Sequence, residues 1–198
     1  HKVMQASGFL MELVNNVLNM NKLESGEMKP ENKPFDLIEL LTETASIVEM
    51  QGQEYAIRFQ MQMGKHKYRH LIGSPLYLKQ VLQNIGGNAV KYNRAGGAVT
   101  FASEDVAYSD GRAVIKFTCT DTGRGMSREF LVHAFEPFSQ ENTDARTTFT
   151  GTGLGLAITK QMVELMEGTI SLKSEQNVGT TISVTIPFRI DVYYTEPQ

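Results

Sequence analysis

The stretch Ala98 to Asp121, AVTFASEDVAYSDGRAVIKFTCTD, restricts the possible folds more than any other part of the chain. Two β-rich segments, 97–107 and 112–121, flank Ser109-Asp110-Gly111, a turn that joins strands as a hairpin. A second strand pair follows at 169–175 and 180–188, and residues 55–63, YAIRFQMQM, alternate as another strand. Strands joined by hairpins run antiparallel, which argues against a doubly wound parallel sheet. Helical patterns come between the strand groups. FDLIELLTETASIVEMQ sets Leu37, Leu40, Leu41, Ala45 and Val48 toward a core. A short extended piece at 69–72 precedes SPLYLKQVLQNIGGNAVKYN, which opens with Ser74 as N-cap and Pro75 at the first helical position. A third helix over 153–167 carries Leu154, Ile158, Met162 and Leu165 on one face. Residues 126–150 have no clear period and read as a long loop with one short helical turn. The fold expected is α+β: a two-layer α/β sandwich with a mostly antiparallel mixed sheet covered by three helices, preceded by one long N-terminal helix.

That first helix spans 2–24. Val3, Leu10 and Val17 are seven apart, as are Ala6, Leu13 and Met20, so they form the a/d seam of a helix that packs in a bundle. SGEMKPENKP, polar and ending in proline, follows as a link. The expected organisation is a bundle helix over 1–29, a linker over 30–34, a compact domain over 35–190 and a polar tail over 191–198 leading to a further segment. A net charge of −3 gives no reason to expect a nucleic-acid partner. Cys119 is the only cysteine, so no internal disulfide can form and a reducing compartment fits. No signal peptide or spanning apolar run is seen, which leaves a membrane anchor elsewhere in a parent protein compatible.

GTGLGL, residues 151–156, opens a helix as phosphate-holding loops do. It lacks the Gly-Lys-Ser/Thr ending of a P-loop, and its G-x-G-x-G spacing is not the dinucleotide fingerprint. In NIGGNAVKYN, Asn84, Asn88, Lys91 and Tyr92 share one helical face. Asn supplies a neutral oxygen that Mg²⁺ accepts beside waters and phosphates, Lys a positive charge, and Tyr a flat face for a purine. A solvated helix face is the plainer alternative. In DTGRGM, Asp121 ends a strand, where a carboxylate accepts a hydrogen bond from an exocyclic amine. Gly123 and Gly125 allow close backbone approach there, or mark a surface turn. FEPFSQ, residues 135–140, reads on its own as a hydrophobic anchor for its loop.

In this order these stretches resemble the catalytic and ATP-binding domain of sensor histidine kinases, in the GHKL ATPase superfamily. QVLQNIGGNAVKYN is similar to the N box, DTGRGM to the first glycine box, FEPFSQ to the F box and GTGLGL to the second glycine box. Residues 8–29 are similar to the second helix of the dimerisation and phosphotransfer domain, and FDLIELL to the usual start of the ATP domain. The resemblance implies a Bergerat-type sandwich holding Mg²⁺-ATP beneath a mobile lid. It assigns Asn88 to Mg²⁺, Asn84 to a place beside the phosphates, Lys91 to phosphate and Tyr92 to the adenine. Asp121 would bind the adenine amine, with Gly123 and Gly125 shaping the pocket. Gly151, Thr152, Gly153, Leu154 and Gly155 would form the lid hinge and wrap the triphosphate. Arg146 would reach the γ-phosphate and Thr180 would help hold the adenine. The implied partners are a phosphoacceptor histidine on the dimerisation domain, a downstream response regulator or receiver domain, and a second copy in a homodimer. The implied location is cytoplasmic.

Two departures from the family pattern stand out. Gly86 and Gly87 lie inside the N-box helix, where each costs about 1 kcal/mol against Ala. The acceptor histidine, expected on a preceding helix with an acidic residue after it, has no match: His1 precedes Lys2, and His66, His70 and His133 read as surface or packing residues. ATP hydrolases of the superfamily place a glutamate one turn before the metal-binding asparagine. Asn84 stands there, and an amide is a poor general base, which favours transfer over hydrolysis. The alternatives are an anti-sigma-type serine kinase relative, which lacks the bundle helix, and a pseudokinase scaffold.

Overall fold

The structure, a computed structural model, describes residues 2–141 and 151–194. Helix α1 (Lys2–Glu24) precedes strand β1 (Lys33–Asp36), helix α2 (Leu37–Glu54), and strands β2 (Arg58–Met63) and β3 (His70–Gly73). Helix α3 (Pro75–Lys91), strands β4 (Ala98–Ser109) and β5 (Arg112–Asp121), and the short helix α4 (Arg128–Leu131) follow. Helix α5 (Gly155–Leu165) and strands β6 (Thr169–Glu175) and β7 (Gly179–Ile190) complete the chain order. The sheet runs β1-β3-β7-β5-β4-β2, with β6 also pairing β7. Among the described residues only β2 against β4 is parallel, and the other pairs are antiparallel. This is the expected α+β sandwich, with α2, α3 and α5 covering the sheet.

Alternation along the strands supplies one layer of the core: Val99 and Phe101 on β4, Ile115, Phe117 and Cys119 on β5, and Ile182, Val184, Ile186 and Phe188 on β7 are buried. On α2, Leu37, Leu40, Leu41, Ala45 and Val48 are all buried, as their spacing requires. The β4–β5 turn puts Asp110 and Gly111 at φ +51° and +72°, the left-handed pair of a two-residue hairpin loop.

Local details depart from expectation. Phe35 and Asp36 do not begin a helix; they end β1, which pairs antiparallel with β3, and Asp36 Oδ1 caps α2 by accepting from Ile38 and Glu39 N–H. Ser74 holds the N-cap position of α3, but its hydroxyl accepts from Glu31 N–H at 3.1 Å instead of capping. On α5, Leu165 is exposed while Val163 is buried. On α1, Met20 is buried against the core of the sandwich, whereas Leu10 and Val17 face solvent. Among the described residues no helix is long and apolar enough to cross a membrane.

The glycine pair in α3 has two different explanations. A Cβ at Gly86 would lie 2.6 Å from the Phe101 ring and 2.7 Å from Val48 Cγ2, so glycine lets the helix lie close on the sheet and α2. A Cβ at Gly87 would meet only Gln51 Oε1, at 3.8 Å. Gly87→Ala should therefore stabilise the fold by roughly 0.5–1 kcal/mol. Gly86→Ala should lower stability, since overpacking costs about 1–3 kcal/mol against that same helix gain. Urea unfolding of both variants checks this; midpoints that move in the same direction would refute the assignment.

Candidate functional site

One cavity lies between α3, the ends of β5 and β7, and the glycine stretch that leads into α5. From α3 and its C-cap, Asn84, Asn88, Lys91 and Tyr92 line it. From the sheet come Asp121 and Thr180, which face each other across the β5–β7 register. Gly125 lines it after β5, and Gly151, Thr152, Gly153 and Gly155 line it from the other side. Leu154 does not line the cavity; it is fully buried and anchors the stretch in the core. Gly123 acts one layer back, where a Cβ would lie 2.6 Å from Tyr92 O. Arg146 lies outside the described residues.

Asn84 ties the two helices together. Its Nδ2 donates to Gly155 O at 2.8 Å and to Thr159 Oγ1 at 2.5 Å. Asn88, one turn later, has no side-chain hydrogen bond among the described residues, so its amide is available to a ligand. Lys91 Nζ lies 5.5 Å from the Tyr92 ring centroid. At the opposite wall, Asp121 Oδ1 accepts from Gly123 N–H at 2.8 Å. Burial raises the pKa of this carboxyl, and the N–H groups of Gly123 and Thr180 offset part of that rise. Ile85, Ala89, Cys119 and Ile182 give the cavity an apolar floor around that carboxylate. Burial, helped by nearby Asp121, also pushes the Cys119 thiol well up, so it stays protonated.

The glycine stretch approaches its neighbours backbone first. Gly151 has φ +130°, and a Cβ there would lie 2.8 Å from Tyr92 Oη and 3.2 Å from Lys91 Nζ. Gly153, at φ +71°, passes within the same range of the Phe138 backbone. Within FEPFSQ the Phe138 ring is exposed, and it is the Phe138 main chain that Gly153 approaches. Gln140 Nε2 donates to Gly151 O at 2.6 Å. From α1, Asn16 Nδ2 donates to Thr152 Oγ1 at 2.9 Å, so the N-terminal helix touches a residue that lines the cavity.

The floor residues follow from strand period: Cys119 and Ile182 pair in register, two positions from Asp121 and Thr180. Arg124 also lines the cavity and lies over Tyr92, a position that only the fold of DTGRGM reveals. The histidines named in the sequence that are described stand apart from the cavity. His66 is held between Asp105 and Ser103, His70 stacks on Tyr194, and His133 pairs with Glu136. Among the described residues no cluster of three or more His, Cys, Asp or Glu could hold a metal. A cation here would depend on Asn88 together with ligand oxygens and water, a donor set that suits Mg²⁺.

Residues 73–190 match the family described as Histidine kinase-, DNA gyrase B-, and HSP90-like ATPase. The chain is 32% identical over 190 residues to the Circadian input-output histidine kinase CikA of Synechococcus elongatus, covering 96% of this chain and 24% of that protein. It is 30% identical over 190 residues to the Peroxide stress-activated histidine kinase mak1 of Schizosaccharomyces pombe, covering 96% of this chain and 12% of that one. The chain thus spans a quarter or less of the length of these curated relatives. Among solved structures, full-length ShkA in complex with AMPPNP aligns with a TM-score of 0.78 at 28% identity, covering 96% of this chain and 38% of that one. The mycobacterial sensor histidine kinase MprB aligns with a TM-score of 0.62 at 25% identity, covering 80% of this chain and 99% of that one.

The raised Asp121 carboxyl has a measurable consequence. Between the ordinary aspartate value and the raised one, the folded chain holds a proton that the unfolded chain has lost. Its contribution to stability therefore falls as pH rises through that window and stays low above it. Asp121→Asn keeps an acceptor for Gly123 N–H but cannot ionise. Against wild type it should be the more stable protein at neutral pH, and the gap should close in acid. Denaturant titrations across pH check this, and a gap that stays constant with pH would contradict the raised pKa.

Proposed function

The chain belongs to the histidine kinase-, DNA gyrase B- and HSP90-like ATPase family, and from that premise we propose that it binds Mg²⁺-ATP and donates the γ-phosphate to a histidine in two-component signalling. The observation that carries this is convergence: the Asn84–Tyr92 face of α3, Asp121 and the 151–155 glycines line a single cavity. The AMPPNP in the ShkA structure supports a nucleotide as occupant.

Each lining group has a role by its chemistry. The Asp121 carboxyl accepts from the adenine amine at the inner end, over the apolar floor. Tyr92 forms a wall for the base, and Thr180 closes the sheet side. Lys91 neutralises phosphate charge. Asn88 would hold Mg²⁺, which when bound supplies charge neutralisation between phosphate oxygens. The glycines leave room for the triphosphate, and the start of α5 offers N–H groups to it. Asn84 spends both its N–H bonds on α5, so it orders the wall and does no proton chemistry. A site with an amide, not a carboxylate, one turn before Asn88 fits transfer to an incoming nucleophile better than activation of water.

In this reading residues 1–29 are the second helix of a dimerisation and phosphotransfer domain, and 30–34 lead from it into the ATP domain of 35–190, whose first strand already takes in Lys33 and Pro34. The acceptor histidine belongs to the first helix of that bundle, in a homodimeric parent that passes phosphate to a response regulator or receiver domain in the cytoplasm. Arg146 is proposed as a γ-phosphate contact. Calorimetry with Mg²⁺-ATP tests the binding step, and a chain that takes up no nucleotide would end this reading. With the preceding helix supplied, acid-labile phosphohistidine should form. Asn88→Ala should cut its yield by at least about tenfold, the lower range for disturbing a metal site; an unchanged yield would remove Asn88 from the metal.

A further inference from the structure

Arg124 is held against Tyr92 by its whole local backbone. A Cβ at Gly123 would lie 2.6 Å from Tyr92 O, and one at Gly125 would run into the Glu175 carbonyl. Only glycines on both sides let the chain take this path. Between them, Arg124 N–H donates to Tyr92 O at 3.2 Å, and Arg124 O accepts from Asn177 N–H at 2.6 Å. The side chain leaves this doubly tied backbone with its Cζ 4.6 Å from the centroid of the Tyr92 ring. No carboxylate pairs with the guanidinium among the described residues. Lys91 lies farther from the same ring, at 5.5 Å, and the role proposed for it draws its ammonium to phosphate.

We propose that Arg124 is a positioning residue for the nucleotide: its guanidinium, lying over Tyr92, fixes the phenol ring as the wall against which the purine lies. This rests on the nucleotide reading above and adds to it the group that sets the wall. A planar cation on an aromatic face attracts the ring quadrupole, and the planar fork of arginine keeps that contact flat. Because it acts through the ring, Arg124 serves the base and not the phosphates.

Calorimetry of the whole chain with adenosine, ADP and Mg²⁺-ATP tests this. Arg124→Leu should weaken all three ligands by one common factor, about threefold to tenfold. Arg124→Lys should recover only part of that loss, since an ammonium keeps the charge but not the planar fork. In a Tyr92→Ala background, Arg124→Leu should cost nothing further. A loss that grows with the number of phosphates would make Arg124 an anion contact and overturn the inference. So would an undiminished loss without Tyr92, or wild-type affinity in Arg124→Leu. A wild-type chain that binds none of the three would overturn the nucleotide reading itself and this inference with it.

Discussion

The Asn84 amide, bonded to Gly155 O and Thr159 Oγ1, holds α3 and α5 at one fixed separation, and the cavity depends on that separation. The amide reaches because α3 lies low. Gly86 brings the helix against Phe101 and Val48 on its inner side, which sets the height of its outer face over the strand ends. A bulkier residue at 86 would lift α3 from the sheet, and Asn84, Asn88 and Tyr92 would rise with it. The two bonds also satisfy a carbonyl and a hydroxyl in the first turn of α5. The separation of the two helices is thus set by polar groups that pair with each other across it.

The cavity sets the Asp121 carboxyl on an apolar floor. Ionising Asp121 there works against burial, and its pKa rises accordingly. The N–H of Gly123 limits the rise, and that N–H is in place because glycine at 123 lets the chain fold back under Tyr92 O. A carboxylate left with few solvating neighbours gains more from a ligand amine than one in open water would. Cys119, two residues earlier on the same strand, meets the same surroundings and responds as a thiol must, by staying neutral.

Where period alone decides a residue's direction, the sequence was sufficient. The α2 face, the buried alternation of β5 and the 109–111 hairpin turn need only local geometry. The N-box stripe was legible for the same reason, since one helical face carries Asn84, Asn88 and Lys91. What local rules could not yield are choices made by distant partners. Ser74 would cap α3 in isolation, yet Glu31 N–H, 43 residues away in sequence, takes its hydroxyl. Lys33 and Pro34 look like linker, but β3 offers an edge on which a proline is tolerated. Val17 and Met20 belong to one heptad seam, yet only Met20 of the two is buried against the core of the sandwich. Arg124 reads as a spacer between glycines until the fold brings it over Tyr92.

The same Asn84 bears on the kind of chemistry that the cavity supports. A glutamate there would have to face the phosphates as a free carboxylate to draw a proton from water. Asn84 instead turns both its N–H groups toward α5, and its carbonyl oxygen has almost no basicity near neutral pH. Replacing it with glutamate would put two acceptors against Gly155 O, where the present geometry needs a donor. The residue that holds the wall together is therefore incompatible, in place, with the residue that would activate water. The need to join α3 to α5 and the transfer chemistry proposed above favour the same amide. The Asn16–Thr152 bond shows that the cavity wall is reached from α1 as well as from α3 and α5.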